Sequence, residues 1–259
     1  IELDPSLTSA YSSRAHILSQ QDDAKAALAD YTSLIEQDPQ NASAYYARGN
    51  AHREAGDVEA ALADFTRAIE IDPGLVNAIR SRARLYANGG KYALAIADYA
   101  AVLELQPDDA AAYAGRGSAY AELGEIELAL EGLKQALELD PNLTSAYLSR
   151  AHTAATLEDY AQASADYAKV LSLEPDNIEA LLGRAEVRFL QGNTDSAIAD
   201  YTEAAKLAPG STAPLAGRAR VYQAMDDLAS ALADYTSAIL IDSTDPALYI
   251  GRAAVLRAL

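Results

Sequence analysis

The chain has 259 residues, of which 50% are hydrophobic and 22% charged, so it is too apolar to be a disordered tail. Its 20 basic and 38 acidic residues leave a net charge of -18, which opposes extended contact with nucleic acid or an anionic membrane. Cysteine is absent, which excludes disulfides and thiolate metal sites, and no apolar run approaches the roughly 20 residues that span a bilayer.

Proline recurs along the chain with a period of 34 residues. Seven of the nine prolines obey this spacing, namely Pro5, Pro39, Pro73, Pro107, Pro141, Pro175 and Pro209. An arginine stands nine residues after each, at Arg14, Arg48, Arg82, Arg116, Arg150, Arg184 and Arg218, and Arg252 continues the series. Such regularity indicates an internal structural repeat, which must be identified before domains are counted.

Each unit is predicted to be a helix, a turn and a second helix. A small residue beside the arginine, such as Gly49, and an alanine twelve residues later, such as Ala61, would let two helices approach closely. Aromatic residues of the second helix, such as Phe65, would pack beside them. Left-handed, helix-ending turns are predicted between the helices at Asp22, Gly56, Gly90, Gly124, Glu158, Gly192 and Asp226. The periodic proline then ends the second helix, because it has no N–H to donate.

This pattern resembles the tetratricopeptide repeat, which has the same 34-residue period and small, aromatic and proline positions. The resemblance covers essentially the whole chain. It departs from the family pattern in having arginine where leucine is more frequent, no tryptophan, and Ser243 in place of one proline. The resemblance implies an all-α fold, a right-handed α-solenoid with a concave groove lined by the first helices, and a role in holding peptides or partner proteins.

We expect one solenoid over residues 1–259. Residues 1–7 would end a preceding repeat, and residues 246–259 would form the first helix of an eighth. The seven full repeats are expected at 8–41, 42–75, 76–109, 110–143, 144–177, 178–211 and 212–245.

The periodic arginines form a ladder with two possible meanings. Their planar guanidinium groups suit phosphate or carboxylate ligands. However, an aspartate follows sixteen residues after most of them, at Asp30, Asp64, Asp98, Asp166, Asp200 and Asp234, which favours structural ion pairs. Gly132 interrupts the aspartate series, so Arg116 is expected either to find Glu127 or Glu131 or to stay free.

Most positions that the resemblance turns toward the groove carry small or neutral residues, but two repeats differ. They bring together the candidate peptide-binding residues Tyr46, Asn50, Arg53, Asn77, Arg80 and Arg84. Arginine guanidinium groups and asparagine amides can donate hydrogen bonds to an acidic peptide or to a C-terminal carboxylate. The alternative is a solvated surface whose arginines balance local carboxylates such as Glu54. A second, more apolar patch at Leu182, Phe189, Leu190, Ile250, Arg220 and Arg257 would hold a hydrophobic anchor or form a contact surface.

No enzyme is predicted. His16, His52 and His152 have no companions at metal-ligand spacing, and the sequence contains no phosphate-binding loop or nucleophile motif. We therefore expect no metal and no cofactor, and a protein or peptide as partner, without nucleic acid and without membrane insertion. Composition leaves the compartment open between cytoplasmic and exported.

A different class of function also fits the sequence. Solenoids usually finish with a polar capping element, whereas residues 246–259 are apolar on more than one side. This is the pattern of a piece cut from a longer array. The alternative is that units stack end to end into an extracellular filament, since heterologous contacts that do not close form fibres.

Overall fold

A computed structural model of the protein describes Arg14 and residues 24–259. The described residues form 14 helices and no strand, which confirms the prediction of an all-α fold. The chain divides into two compact units, one ending at Leu139 and one spanning Asp140–Leu259. The described helices of unit 1 are α1 (Ala24–Gln37), α2 (Ala42–Glu54), α3 (Val58–Ile71), α4 (Val76–Asn88), α5 (Tyr92–Leu105), α6 (Ala110–Glu122) and α7 (Ile126–Leu139). Those of unit 2 are α8 (Thr144–Thr156), α9 (Tyr160–Leu173), α10 (Ile178–Leu190), α11 (Thr194–Leu207), α12 (Ala213–Ala224), α13 (Leu228–Ile241) and α14 (Pro246–Ala258).

The turns between paired helices have left-handed backbone conformations, as predicted. Positive φ angles occur at Gly56, Gly90, Gly124 and Gly192, and also at two residues with side chains, Glu158 and Asp226. The seventh predicted turn residue, Asp22, lies outside the described residues. Left-handed residues end a helix and let the chain reverse, so each pair of helices forms a hairpin.

Several second helices begin at an aspartate that caps them. Side-chain oxygens of Asp57, Asp159 and Asp227 accept hydrogen bonds of 3.0–3.1 Å from backbone N–H groups in the first turns of α3, α9 and α13. Each bond satisfies a donor that the helix itself cannot pair. Hydrogen bonding to Ser230 lowers the pKa of Asp227.

Helices that are consecutive in sequence pack against each other within each unit. The first helices of successive repeats also contact one another, α4 with α6 in unit 1, and α8 with α10, α10 with α12, and α12 with α14 in unit 2. First helices therefore share one side of each unit, which we call the first-helix face. None of the described helices is long and apolar enough to cross a membrane.

The seams between repeats depend on glycines that face tyrosines. Tyr99, Tyr167, Tyr201 and Tyr235 are buried in the second helices, at most 5% exposed. The rings lie against Gly115, Gly183, Gly217 and Gly251 of the next first helices, where an added Cβ would overlap ring atoms. The absence of a side chain thus lets each aromatic ring approach the neighbouring backbone.

Candidate functional site

The six candidate residues lie on two first helices of unit 1. Tyr46, Asn50 and Arg53 are on α2, and Asn77, Arg80 and Arg84 are on α4. Within each helix they are spaced by three or four residues, so each set forms one stripe.

Tyr46 provides an aromatic wall that joins the two helices. Its ring lies 5.9 Å from the Phe65 ring, centroid to centroid, at an interplanar angle of 39°. It also packs against the buried cluster that contains Phe65 of α3 and Leu85 of α4. The ring is half-buried, and its position is therefore fixed by packing.

Arg80 is held by partners within unit 1. Its Nη2 donates to Asp109 and, at 3.2 Å, to the side-chain oxygen of Gln106. The other oxygen of Asp109 accepts from the backbone N–H of Ala112 at 2.9 Å and so caps α6. Arg80 Nε is buried without a hydrogen-bond partner. Arg80 therefore ties α4 to the beginning of α6.

Arg53 and Arg84 are both exposed but differ in their surroundings. Arg53 Nη2 lies 3.5 Å from Glu54 Oε1, a surface pair of little energetic value. Arg84 forms no ion pair with any residue in the described part of the chain. Local carboxylates thus accompany Arg53 and Arg80, as the solvated-surface alternative expects, but not Arg84.

Two of the three arginines of α4, Arg80 and Arg84, act electrostatically on the hydroxyl of Tyr99. Burial raises the pKa of Tyr99, and the positive charges of Arg84 and Arg80 act in the opposite direction. The two arginines and the tyrosine hydroxyl therefore share one electrostatic environment on the first-helix face of unit 1.

The two candidate asparagines are uncommitted. Asn50 is half-buried and Asn77 exposed, and neither side-chain amide hydrogen-bonds to another described residue. A primary amide offers two donors and an acceptor. Both side-chain amides are therefore available to a ligand. The two stripes to which they belong also carry positively charged arginines.

The arginine ladder consists of structural ion pairs wherever an aspartate is present, as predicted. Nε and Nη2 of each arginine donate to the two oxygens of one aspartate at 2.5–2.9 Å. The pairs are Arg14–Asp30, Arg48–Asp64, Arg82–Asp98, Arg150–Asp166, Arg184–Asp200 and Arg218–Asp234. Hydrogen bonding to the aspartate raises the pKa of Arg48, Arg82, Arg150 and Arg218. Arg116 pairs with neither Glu127 nor Glu131 in the described structure.

Sequence reasoning missed a polar cluster on the first-helix face of unit 2. Glu186 accepts a 2.7 Å hydrogen bond from the Tyr201 hydroxyl and pairs with Arg220 at 3.1 Å. The Arg220 guanidinium lies 5.9 Å from the centroid of the Phe189 ring. The pKa of Tyr201 is raised mainly by burial and to a smaller extent by the hydrogen bond to Glu186. Of the residues in the predicted apolar patch, Phe189 and Arg220 are therefore in contact, and Arg220 is paired with the carboxylate of Glu186.

The histidines within the described residues lie near one or two carboxylates. His52 Nδ1 lies 3.9 Å from Asp57 Oδ2. His52 Nε2 lies 3.9 Å from Asp64 Oδ2, and His152 Nε2 lies 3.5 Å from Glu179 Oε1. The third, His16, lies outside that part. Across the described residues, no group of three or more histidine, aspartate or glutamate side chains could hold a metal ion.

Comparison with protein families gives a match to the tetratricopeptide repeat over residues 13–76, 80–143 and 148–212. No curated protein matches the chain.

Solved structures with the same fold are numerous. A tetratricopeptide repeat protein from Parabacteroides merdae superposes with a TM-score of 0.76 and 19% identity, covering 96% of this chain and 98% of that one. In the Cut9–Hcn1 hetero-tetramer, the TM-score is 0.77 at 17% identity, with 93% and 51% coverage. YrrB, described as having an unusual peptide-binding site, gives 0.53 at 22% identity, with 71% and 95% coverage. At these identities the likeness establishes the fold.

Proposed function

Because this chain belongs to the tetratricopeptide repeat family, whose scaffold is typical of protein–protein interaction, we propose that the first-helix face of unit 1 binds an acidic segment of a partner. The segment carries an acidic side chain or a C-terminal carboxylate. YrrB has a peptide-binding site on a related scaffold, which supports a peptide as the ligand.

The observation that carries the proposal is the state of Arg84. It is exposed and has no ion-pair partner in the described part of a chain whose net charge is -18. Arg80 lies one helical turn away, and the positive charges of both arginines act on the Tyr99 hydroxyl. An incoming carboxylate would meet a charged donor that no described carboxylate neutralises, and charge-assisted bonds of this kind are about twice as strong as neutral ones.

The other residues of the face have supporting roles in this proposal. Asn50 and Asn77 have free amides that can hydrogen-bond the backbone of an extended peptide. Tyr46, held against Phe65, offers a fixed aromatic surface for a side chain of the peptide. Arg53 adds charge at the rim, because its pair with Glu54 is long and exposed.

Replacing Arg84 with alanine is expected to weaken the binding of an acidic peptide by about 10- to 100-fold, the effect of removing a charged hydrogen-bond donor. Fluorescence anisotropy measures the affinity for a labelled oligoglutamate peptide. Two forms of the peptide are compared, one with a free C-terminus and one with an amidated C-terminus. The matched control is Arg67→Ala, which removes the same charge from an arginine of α3 that pairs with Glu70 at 3.0 Å. Equal losses in the two variants, or no binding by the unmodified protein, would refute the proposal.

Self-association is a second candidate, and it is favoured by apolar side chains exposed on α13 and α14. Leu240 is 83% exposed, Ile250 70% and Leu256 55%. Exposed apolar surface of this kind favours contact with a second copy of the chain.

Self-association is expected to make the average mass in static light scattering rise with protein concentration. Leu240→Glu combined with Ile250→Glu should suppress that rise, because each change places a charge in the contact. A monomer mass at every concentration would eliminate this candidate.

A further inference from the structure

Seven periodic arginines have their partner position, sixteen residues later, within the sequence, and at one of these seven positions the aspartate is missing. In six repeats, a guanidinium grips both oxygens of an aspartate that is buried, at most 8% exposed. At the equivalent rung, Gly132 of α7 stands where the aspartate belongs, and Arg116 of α6 forms no ion pair with the described residues. Arg116 is itself half-buried, so this rung holds a partly desolvated positive charge.

The guanidinium of Arg116 makes the same aromatic contact as those of two paired arginines. It lies 5.4 Å from the centroid of the Tyr113 ring. Arg48 and Arg150, which do bind aspartate, lie 5.6 Å and 5.5 Å from tyrosine rings at the equivalent place in their repeats. The Tyr113 ring therefore contacts the Arg116 guanidinium as Tyr45 and Tyr147 contact those of Arg48 and Arg150, although no aspartate is present.

Steric crowding does not account for the missing side chain. A Cβ built on Gly132 would lie 3.4 Å from both Gly117 Cα and the Tyr113 carbonyl oxygen, which is ordinary van der Waals contact. The backbone of Gly132 is helical, with no positive φ that would demand glycine. The position therefore has room for a Cβ, and the absence of an aspartate leaves Arg116 without the partner that the other repeats provide.

This rung is separate from the face proposed above to bind an acidic segment. On α6, Arg116 lies two residues from Ala114 and two from Ser118, the positions equivalent to Arg80 and Arg84 on α4. Two residues correspond to about 200° around a helix, so Arg116 points away from the first-helix face.

From these observations we propose that Arg116 is a binding site for a carboxylate supplied by another molecule, which completes the ladder in trans. The ligand is an aspartate or glutamate side chain, or a chain-terminal carboxylate, of a partner polypeptide. Its two oxygens accept hydrogen bonds from Nε and Nη2 of Arg116, as the two oxygens of the aspartate do in the other repeats.

Formate, the smallest carboxylate, is the probe for this site, and the readout is the side-chain Nε–Hε resonance of Arg116 in nitrogen-15 NMR spectra. We expect a saturable shift of this resonance in the unmodified protein when formate replaces chloride at constant ionic strength. Arg218, already paired with Asp234 at 2.7 Å, is the internal control and should not shift. Arg116→Gln identifies the resonance by its disappearance.

Gly132→Asp supplies the missing carboxylate within the chain and is the decisive variant. It should move the Arg116 resonance to the position reached with saturating formate and abolish the further response to formate. An Arg116 resonance that moves no more than that of Arg218, or that responds equally in Gly132→Asp, would overturn the proposal.

Two blocked amino acids then distinguish the sources of the carboxylate. N-acetylaspartate amide presents only a side-chain carboxylate, and N-acetylalanine presents only a terminal one. Tighter binding of the first supports an internal acidic residue of a partner, and tighter binding of the second supports a chain terminus. Failure of both to shift the Arg116 resonance would contradict a polypeptide ligand.

Discussion

Replacing Gly183 with alanine is expected to lower the free energy of unfolding by about 1–3 kcal/mol, the usual cost of overpacking a core. The added Cβ would lie 2.6 Å from Cε1 of Tyr167, whose ring is 2% exposed. Tyr167 is part of a buried cluster with Val170 and Val187, so the ring cannot withdraw without moving both helices. Urea denaturation followed by circular dichroism gives the change in free energy.

Gly132→Ala is the control for this substitution. It makes the same change within a helix, but at a place where the Cβ meets only ordinary contacts, so it should be neutral or stabilise the protein by about 0.5–1 kcal/mol. The opposite signs of the two effects distinguish close packing from helix propensity. If Gly183→Ala were as stable as Gly132→Ala, the packing between Tyr167 of α9 and Gly183 of α10 would be less tight than the structure shows.

Replacing Asp200 with asparagine is expected to cost about 3 kcal/mol, the lower end for breaking a buried ion pair, because both its arginines keep some solvent contact. Asp200 accepts from Arg184 at 2.8–2.9 Å and from Arg188 at 2.6 Å. The amide would leave two half-buried guanidiniums without a neutralising charge. Chemical denaturation at neutral pH measures the loss.

Asp234→Asn is the matched comparison, because Asp234 pairs with the single arginine Arg218. Its loss should be smaller, about 1.5–3 kcal/mol, as for one charged hydrogen-bonding partner. Equal costs for the two variants would mean that Arg188 contributes nothing to the pair.

The repeat itself was predictable because its signals are local and periodic. The Arg–Asp pairs followed from a constant separation of sixteen residues that joins the two helices of one hairpin. The turns at Glu158 and Asp226 were predicted by register alone, although neither residue is glycine. Periodicity carries such information because each repeat places equivalent residues in equivalent surroundings.

Contacts between different repeats were not predictable from that register. The sequence pattern drew attention to the small residue after each periodic arginine, whereas the glycine before it, such as Gly183, faces the tyrosine of the preceding repeat. Arg80 pairs with Asp109, 29 residues away, which caps the first helix of the next repeat. Both features depend on how neighbouring repeats are offset, which a single-repeat pattern does not specify.

The candidate peptide-binding face was predictable in composition but not in detail. The sequence indicated three arginines on two neighbouring first helices, and their different ion-pair states appear only in three dimensions. Arg80 serves the fold through Asp109, which leaves Arg84 as the proposed anchor. The cluster of Glu186, Tyr201 and Arg220 was not predicted, because its members come from three different helices.

The most direct test of the proposed function is to map where an acidic peptide binds, by following backbone amide resonances in nitrogen-15 NMR spectra during a titration with oligoglutamate. The account predicts shifts concentrated on α2 and α4, around Asn50, Asn77 and Arg84, that disappear in Arg84→Ala. Shifts confined to unit 2, or spread evenly over the chain, would contradict it.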